Sequence, residues 1–102
     1  MAQQALSARS IARLARLVGR PALAEEYEAR HEALCAELQH HWDDDDATFY
    51  DRLDTAPFPF RRVVTPAAYW PLLAGACSPE QARSLADLLT DPQRLGGPVP
   101  WP

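Results

Sequence analysis

The stretch HWDDDDATFYDRLDTAPFPFRRVVTPAAYWPLLAG, residues 41–75, decides the fold, because one long helix stops where it begins and another is completed where it ends. Asp43 to Asp46 favour a solvated turn over further helix, since short acidic side chains compete for nearby backbone donors. Thr48 to Leu53 then sets Phe49, Asp51 and Leu53 against Tyr50 and Arg52 and is rich in strand formers, so a short strand is expected. Its expected partner is Arg61 to Val64, across the Asp54 to Pro59 turn, with Pro57 and Pro59 limiting the ribbon to a few ladder bonds. Thr65 caps the next helix and Pro66 occupies its first turn. Pro71 kinks that helix or delays its regular start, and Gly75 ends it.

Upstream, Ile11, Leu14, Ala15 and Val18 recur at the spacing of one helical face, and Gly19 closes the helix. Pro21 opens a second helix that places Leu23, Tyr27, Leu34, Leu38 and Trp42 along one side, with Glu25, Glu26 and Glu28 near its start. One intervening turn makes the two an antiparallel hairpin. Downstream, Ser78-Pro79-Glu80-Gln81 is a capping box leading into a helix with Ala82, Leu85, Ala86 and Leu89 on its buried face, and Asp91-Pro92 stops it. The expectation is therefore an all-α chain: a helical hairpin over 5–41, a loop with a short β-ribbon over 42–65, a helical pair over 66–90 and a tail over 91–102. About four helices in two antiparallel hairpins form a single domain.

Composition narrows the function. A chain of 102 residues has room for one modest core, and 47% hydrophobic with 24% charged residues is ordinary globular usage despite ten prolines. A net charge of -4 supplies no basic stripe for nucleic acid. The acid-free start with Arg9, Arg13, Arg16 and Arg20 continues into the hairpin, so it reads as helix and not as a transit peptide. No apolar run approaches the roughly 20 residues of a membrane span. Two cysteines, Cys35 and Cys77, make no disulfide framework, and a cytoplasmic location is expected.

His31 lies on the apolar stripe of the second helix, where a hydrogen-bonded core histidine is the simpler reading than a ligand or a base. His40 and His41 beside Asp43 to Asp46 invite a mixed imidazole and carboxylate metal site. Four consecutive carboxylates cannot converge on one ion, and neither a calcium-loop pattern nor an HxxxH spacing occurs, so no metal is expected.

Taken in order, LARLVGR, HWDDDDATFYDRL, YWPLLAGACSPEQARSLADLLTDPQRLGG and PVPWP resemble the six-hairpin (α/α)6 glycoside hydrolases of the mannosyl-oligosaccharide glucosidase, trehalase and mannosylglycerate hydrolase group, closest to the mannosylglycerate-hydrolase-like domain. The likeness rests on Trp42-Asp43, Phe49-Tyr50-Asp51, Pro71-Leu72-Leu73-Ala74-Gly75, Gln81-Ala82-Arg83-Ser84-Leu85 and Asp91-Pro92. It implies a partial (α/α)6 toroid and an inverting mechanism, in which an acid and a base carboxylate stand roughly 6.5 to 9.5 Å apart. The family's acid lies in a loop before the position of residues 5 to 18 and its base well after residue 102. No catalytic residue is therefore assigned, and the chain is expected to be a glycosidase fragment without activity of its own.

By the same resemblance, residues 42 to 65 form a rim loop of the sugar-binding funnel. Tyr50, Phe58, Trp70 and Trp101 become candidates for stacking on a sugar ring, with Asp51 and Arg52 for its hydroxyl groups. The implied partner is a carbohydrate, with no cofactor, nucleic acid or membrane. Self-association through uncovered apolar helix faces is a further expectation. The bland explanation for Tyr50 and Trp70 is core packing, and Asp51 has the alternative of satisfying backbone donors.

Two other functions compete with this one. A helical interaction module without catalysis is the alternative, but a tetratricopeptide array fails, because 34 residues beyond Tyr27 stands Arg61 in a proline-rich loop. Local acid–base chemistry by His31 or His40 with a carboxylate has no spacing in its favour.

Overall fold

The computed structural model describes residues 1–97. Among them the chain is mostly helical, with α1 (Ala2–Leu17), α2 (Pro21–Gln39), α3 (Trp70–Leu73) and α4 (Pro79–Thr90). A 3-10 turn covers Pro66–Tyr69, and two small antiparallel sheets pair β1 (Trp42–Asp43) with β2 (Thr48–Phe49) and β3 (Asp51–Arg52) with β4 (Phe60–Arg61). Two compact units result. The first joins Met1–His40 to Trp70–Ala76; the second joins His41–Tyr69 to the residues from Cys77 on. Among the described residues no helix is long and apolar enough to cross a membrane.

In the first unit α1 buries a stripe of alanines, Ala5, Ala8, Ala12 and Ala15. Of the expected face only Ala15 is buried; Ile11, Leu14 and Val18 are exposed, and Leu17 is 82% exposed. Methyl side chains repeating at intervals of three and four residues let a neighbouring helix come close and leave few voids. A leucine stripe would hold the axes further apart. The α2 side supplies Ala24 and Leu38 as its buried positions.

Helix α1 ends on a Schellman motif. The N–H of Gly19, at φ 75, donates to the Arg16 carbonyl at 3.2 Å, and the N–H of Arg20 donates to the Ala15 carbonyl at 2.8 Å. Pro21 then starts α2 at a position whose N–H would have no helical acceptor. The short α3 closes in the same way around Gly75, at φ 77: Gly75 donates to Leu72 and Ala76 to Pro71. Its carbonyl end is further held by Arg9, which donates to the Leu73 carbonyl at 2.6 Å, while Gln39 donates to the Ala76 carbonyl at 2.6 Å. Ala74 is fully buried with Ala5 and Leu38.

One further expectation is corrected, and the delayed start expected at Pro71 is observed. Helix α2 stops at Gln39, and Trp42 belongs to β1. Pro71 delays the regular helix: the chain makes a 3-10 turn first, and α-helix begins only at Trp70, because a proline in a first turn removes no helical hydrogen bond.

The second unit is centred on Phe49, Ala68, Leu85 and Leu88, with Trp42, Val64, Tyr69, Cys77 and Leu95 packed against them. The capping box on α4 is complete, since Gln81 N–H donates to Ser78 Oγ at 3.1 Å and Ser78 N–H donates to Gln81 Oε1 at 3.0 Å. The buried face of α4 is Leu85 and Leu88; Leu89 is half-buried and Ala86 exposed. Tyr69 donates its hydroxyl to the Leu85 carbonyl at 2.8 Å, a polar tip satisfied inside an apolar contact.

Candidate functional site

The two sheets form one continuous excursion within the second unit. Thr48 to Leu53 does not act as a single strand. Its first half turns back on the helix exit, pairing Phe49 with Trp42 and Thr48 with Asp43. Its second half pairs onward, Asp51 with Arg61 and Arg52 with Phe60. Tyr50 is the pivot: its N–H donates to the His41 carbonyl at 2.8 Å, and His41 Nδ1 donates to the Tyr50 carbonyl at 3.0 Å. Phe49 and Tyr50 are both buried, which breaks the period-two pattern of an ordinary half-buried strand. The forward partner is also shorter than expected, because Val63 N–H donates to the Arg61 carbonyl and bends the chain out of the ladder.

An ionic cluster supports this ribbon. Asp43 is only 7% exposed, so the acidic turn is not wholly solvated as the sequence suggested. Arg62 reaches Asp43 at 3.2 Å and Asp46 at 3.0 Å, and Tyr50 donates its hydroxyl to Asp46 at 2.7 Å. The Asp46 N–H donates to Asp43 Oδ2 at 2.8 Å, closing a turn in which Ala47 takes φ 52. That backbone donor, followed by the Arg62 guanidinium, holds the Asp43 carboxyl below its ordinary range. Burial, then the bond to Asp46, pushes the Tyr50 hydroxyl up, so it serves as a donor and not as a phenolate.

A pH dependence follows. Because the folded-state pKa of Asp43 is depressed, its contribution to stability is fully present above the ordinary carboxylate value of about 4. That contribution is lost as pH falls through the lower folded value. Urea midpoints measured from neutral pH downward should fall more steeply for the native chain than for Asp43→Asn, which should start lower and show the flatter acid limb.

The sequence-derived candidates separate clearly. Tyr50 is 5% exposed with its hydroxyl engaged, so its ring belongs to the packing. Asp51 is exposed at the base of the ribbon, opposite exposed Arg61. The Arg52 guanidinium lies 4.1 Å from the centre of the Phe60 ring and donates to the Phe58 carbonyl at 2.8 Å. Phe58 is 52% exposed at φ 58. Trp70 is 37% exposed at the start of α3 in the first unit. Trp101 lies outside the described residues. The structure thus brings Tyr50, Asp51, Arg52 and Phe58 into one ribbon. Sequence reading missed Asp43, Phe60, Arg61 and Arg62, whose roles depend on cross-strand register and on an ion pair between residues 19 positions apart.

Among the described residues no three His, Cys, Asp or Glu side chains gather to hold a metal ion. His31 donates from Nδ1 to the Ala5 carbonyl at 2.9 Å, which ties α2 to α1. Cys35 Sγ is 3.5 and 3.8 Å from the two nitrogens of the His31 ring, so it sits across the ring and not on one nitrogen's lone pair. Burial raises its thiol pKa, the reverse of an activated nucleophile.

A family model described as the mannosylglycerate hydrolase MGH1-like glycoside hydrolase domain matches residues 2–102. The chain belongs to that family. No curated protein and no solved structure matches it. Among the described residues of this glycoside hydrolase-family chain, two carboxyls are shifted from their usual range, Glu28 and Asp43, and both move down. Glu28 does so chiefly through its hydrogen bonds from Arg16, at 2.7 and 2.8 Å. A glycosidase general acid needs the opposite shift.

Proposed function

We propose that the chain forms two of the six hairpins of an inverting glycoside hydrolase toroid acting on O-glycosidic bonds of the glucoside, mannoside or trehalose type. Its 42–65 excursion supplies part of the sugar-contacting rim, and the catalytic acid and base come from outside these residues. The observation that carries the reading is the family match across residues 2–102. Local chemistry supports the division of labour. The most buried carboxylate of the ribbon, Asp43, is committed to Arg62 and to a backbone N–H, whereas Asp51 and Arg61 are exposed where hydroxyl groups could reach them.

The test is an assay of the purified chain on aryl glucosides, aryl mannosides and trehalose. No turnover above the buffer rate is expected. Turnover that disappears in a variant of one of the chain's own carboxylates, such as Asp51→Asn, would overturn the proposal. The exposed aliphatic edge of α1, Ile11, Leu14, Leu17 and Val18, favours a second reading as a helical interaction module. In the toroid reading that edge is covered by neighbouring hairpins. A saturable self-association that Leu14→Glu abolishes, in a chain that binds no sugar, would favour the module.

A further inference from the structure

Of the two non-glycine residues at positive φ among the described residues, Ala47 and Phe58, only Phe58 is both bulky and exposed. Its φ of 58 lies in the left-handed region, which crowds any side chain with a Cβ and is disfavoured for bulky residues. Turns that need this conformation ordinarily use glycine or asparagine. Nor is the ring compensated by burial, since 52% of the residue remains exposed. Strain of this kind persists only where the surroundings over-determine it, and the inference runs from the strain to a use.

The surroundings do over-determine it. The N–H of Phe58 donates to the Thr55 carbonyl at 2.8 Å, and its carbonyl accepts from Arg52 Nη1 at 2.8 Å. Arg52 is itself fixed, its guanidinium lying 4.1 Å from the centre of the Phe60 ring. Beside this clamp, the Leu53 N–H donates to the Pro59 carbonyl at 3.0 Å and ties the two strands together. Both sides of the Phe58 backbone are therefore held while about half of the residue stays exposed. Arg52, which the sequence offers as a contact for sugar hydroxyls, has its guanidinium occupied in holding Phe58.

Resting on the glycoside hydrolase reading above, we propose that Phe58 is a preorganised platform for the C–H face of a pyranose ring, and that Arg52 is its positioning residue. An aromatic face carries negative potential and attracts the polarised C–H groups that line one side of a pyranose. Asp51 and Arg61, opposite each other in the same ribbon and both exposed, add respectively an acceptor and a donor for hydroxyl groups.

The experiment is ligand-observed saturation-transfer NMR on the full chain with methyl mannoside and methyl glucoside, and with an open-chain polyol as a control lacking the apolar face. Thermal unfolding of each variant is measured in parallel. The native chain should saturate the pyranosides and not the polyol. Phe58→Gly should abolish saturation while leaving the unfolding midpoint unchanged or raised, because it removes the strain together with the ring. Phe58→Tyr should retain binding. Arg52→Gln should weaken binding about tenfold with little change in midpoint, as expected if the competent conformer falls to about a tenth of the population.

Several results would overturn the platform: no saturation by either pyranoside, saturation that survives Phe58→Gly, a midpoint lowered by Phe58→Gly, or full affinity in Arg52→Gln. The two proposals fail separately. Pyranoside contact untouched by Phe58→Gly removes the platform and leaves the glycosidase reading standing. Turnover by the chain's own carboxylates removes the division of labour proposed above and leaves the platform intact.

Discussion

Replacing Leu85 with alanine should destabilise the second unit by about 3 kcal/mol, within the range for emptying a fully buried leucine site. Leu85 is 0% exposed and packs with Phe49, Ala68 and Leu88. Its carbonyl, which accepts from Tyr69, is unchanged by the substitution, so the loss isolates the side chain. Thermal unfolding should show a midpoint lowered by more than about 10 °C. Leu17→Ala is the matched control: a leucine lying mostly in solvent should change stability by no more than about 0.5 kcal/mol. If Leu17→Ala proved the more damaging of the two, the burial pattern described for both helices would be wrong.

Gly75→Ala should be the most damaging of the glycine substitutions in the first unit, and Gly19→Ala shows why. Both glycines have φ near +75, where adding a Cβ costs about 1–2 kcal/mol. Around Gly19 an added Cβ meets nothing within 4 Å, so Gly19→Ala carries that cost alone. At Gly75 the new atom would stand 2.5 Å from Arg9 Nη1, and Arg9 is the residue whose Nη2 holds the Leu73 carbonyl. The guanidinium must leave that carbonyl, and a hydrogen bond from a charged donor is worth about 1.5–3 kcal/mol. Because Arg9 is a flexible side chain and can re-solvate, Gly75→Ala should cost roughly twice what Gly19→Ala costs. In an Arg9→Ala background the two should become equal, a double-mutant comparison read from denaturation midpoints. Equal costs in the native background would mean that Arg9 contributes nothing at this helix end.

Several helix ends were legible in this chain, because their chemistry is local. Gly19 followed by Pro21, the Ser78 to Gln81 box and Asp91-Pro92 each act within a few residues, and each stands where the sequence placed it. The buried faces were less legible. On α1 the eye follows Ile11, Leu14 and Val18, but close packing of two helices is served by the alanines, which a hydropathy pattern ranks low. On α4 the neighbouring Leu88 and Leu89 differ by one step of the helix, and only the position of the opposing residues chooses Leu88.

The ribbon illustrates a second kind of obscurity. A single strand from Thr48 to Leu53 was expected because its residues alternate, yet Tyr50 hands the chain from one partner to another, and no local rule marks that exchange. Phe58 was visible as an aromatic in a proline-rich turn. Its left-handed backbone, and the duty this lays on Arg52, were not. The acidic run likewise looked uniform, whereas the fold gives its members different roles: Asp43 meets Arg62, Asp44 accepts from the Trp42 indole at 2.9 Å, and Asp46 receives the Tyr50 hydroxyl.

The discontinuity of the first unit has a consequence for its birth on the ribosome. Residues 1–40 emerge first and can form their hairpin, but Ala74, which shares a buried cluster with Ala5 and Leu38, follows only after the whole of 41–69 has been made. At ordinary rates of synthesis that delay is on the order of seconds. A helical hairpin closes in far less time, so for those seconds Ala5 and Leu38 lack their cover. Slow codons between positions 41 and 69 would lengthen this exposed interval without changing a single residue of the finished protein.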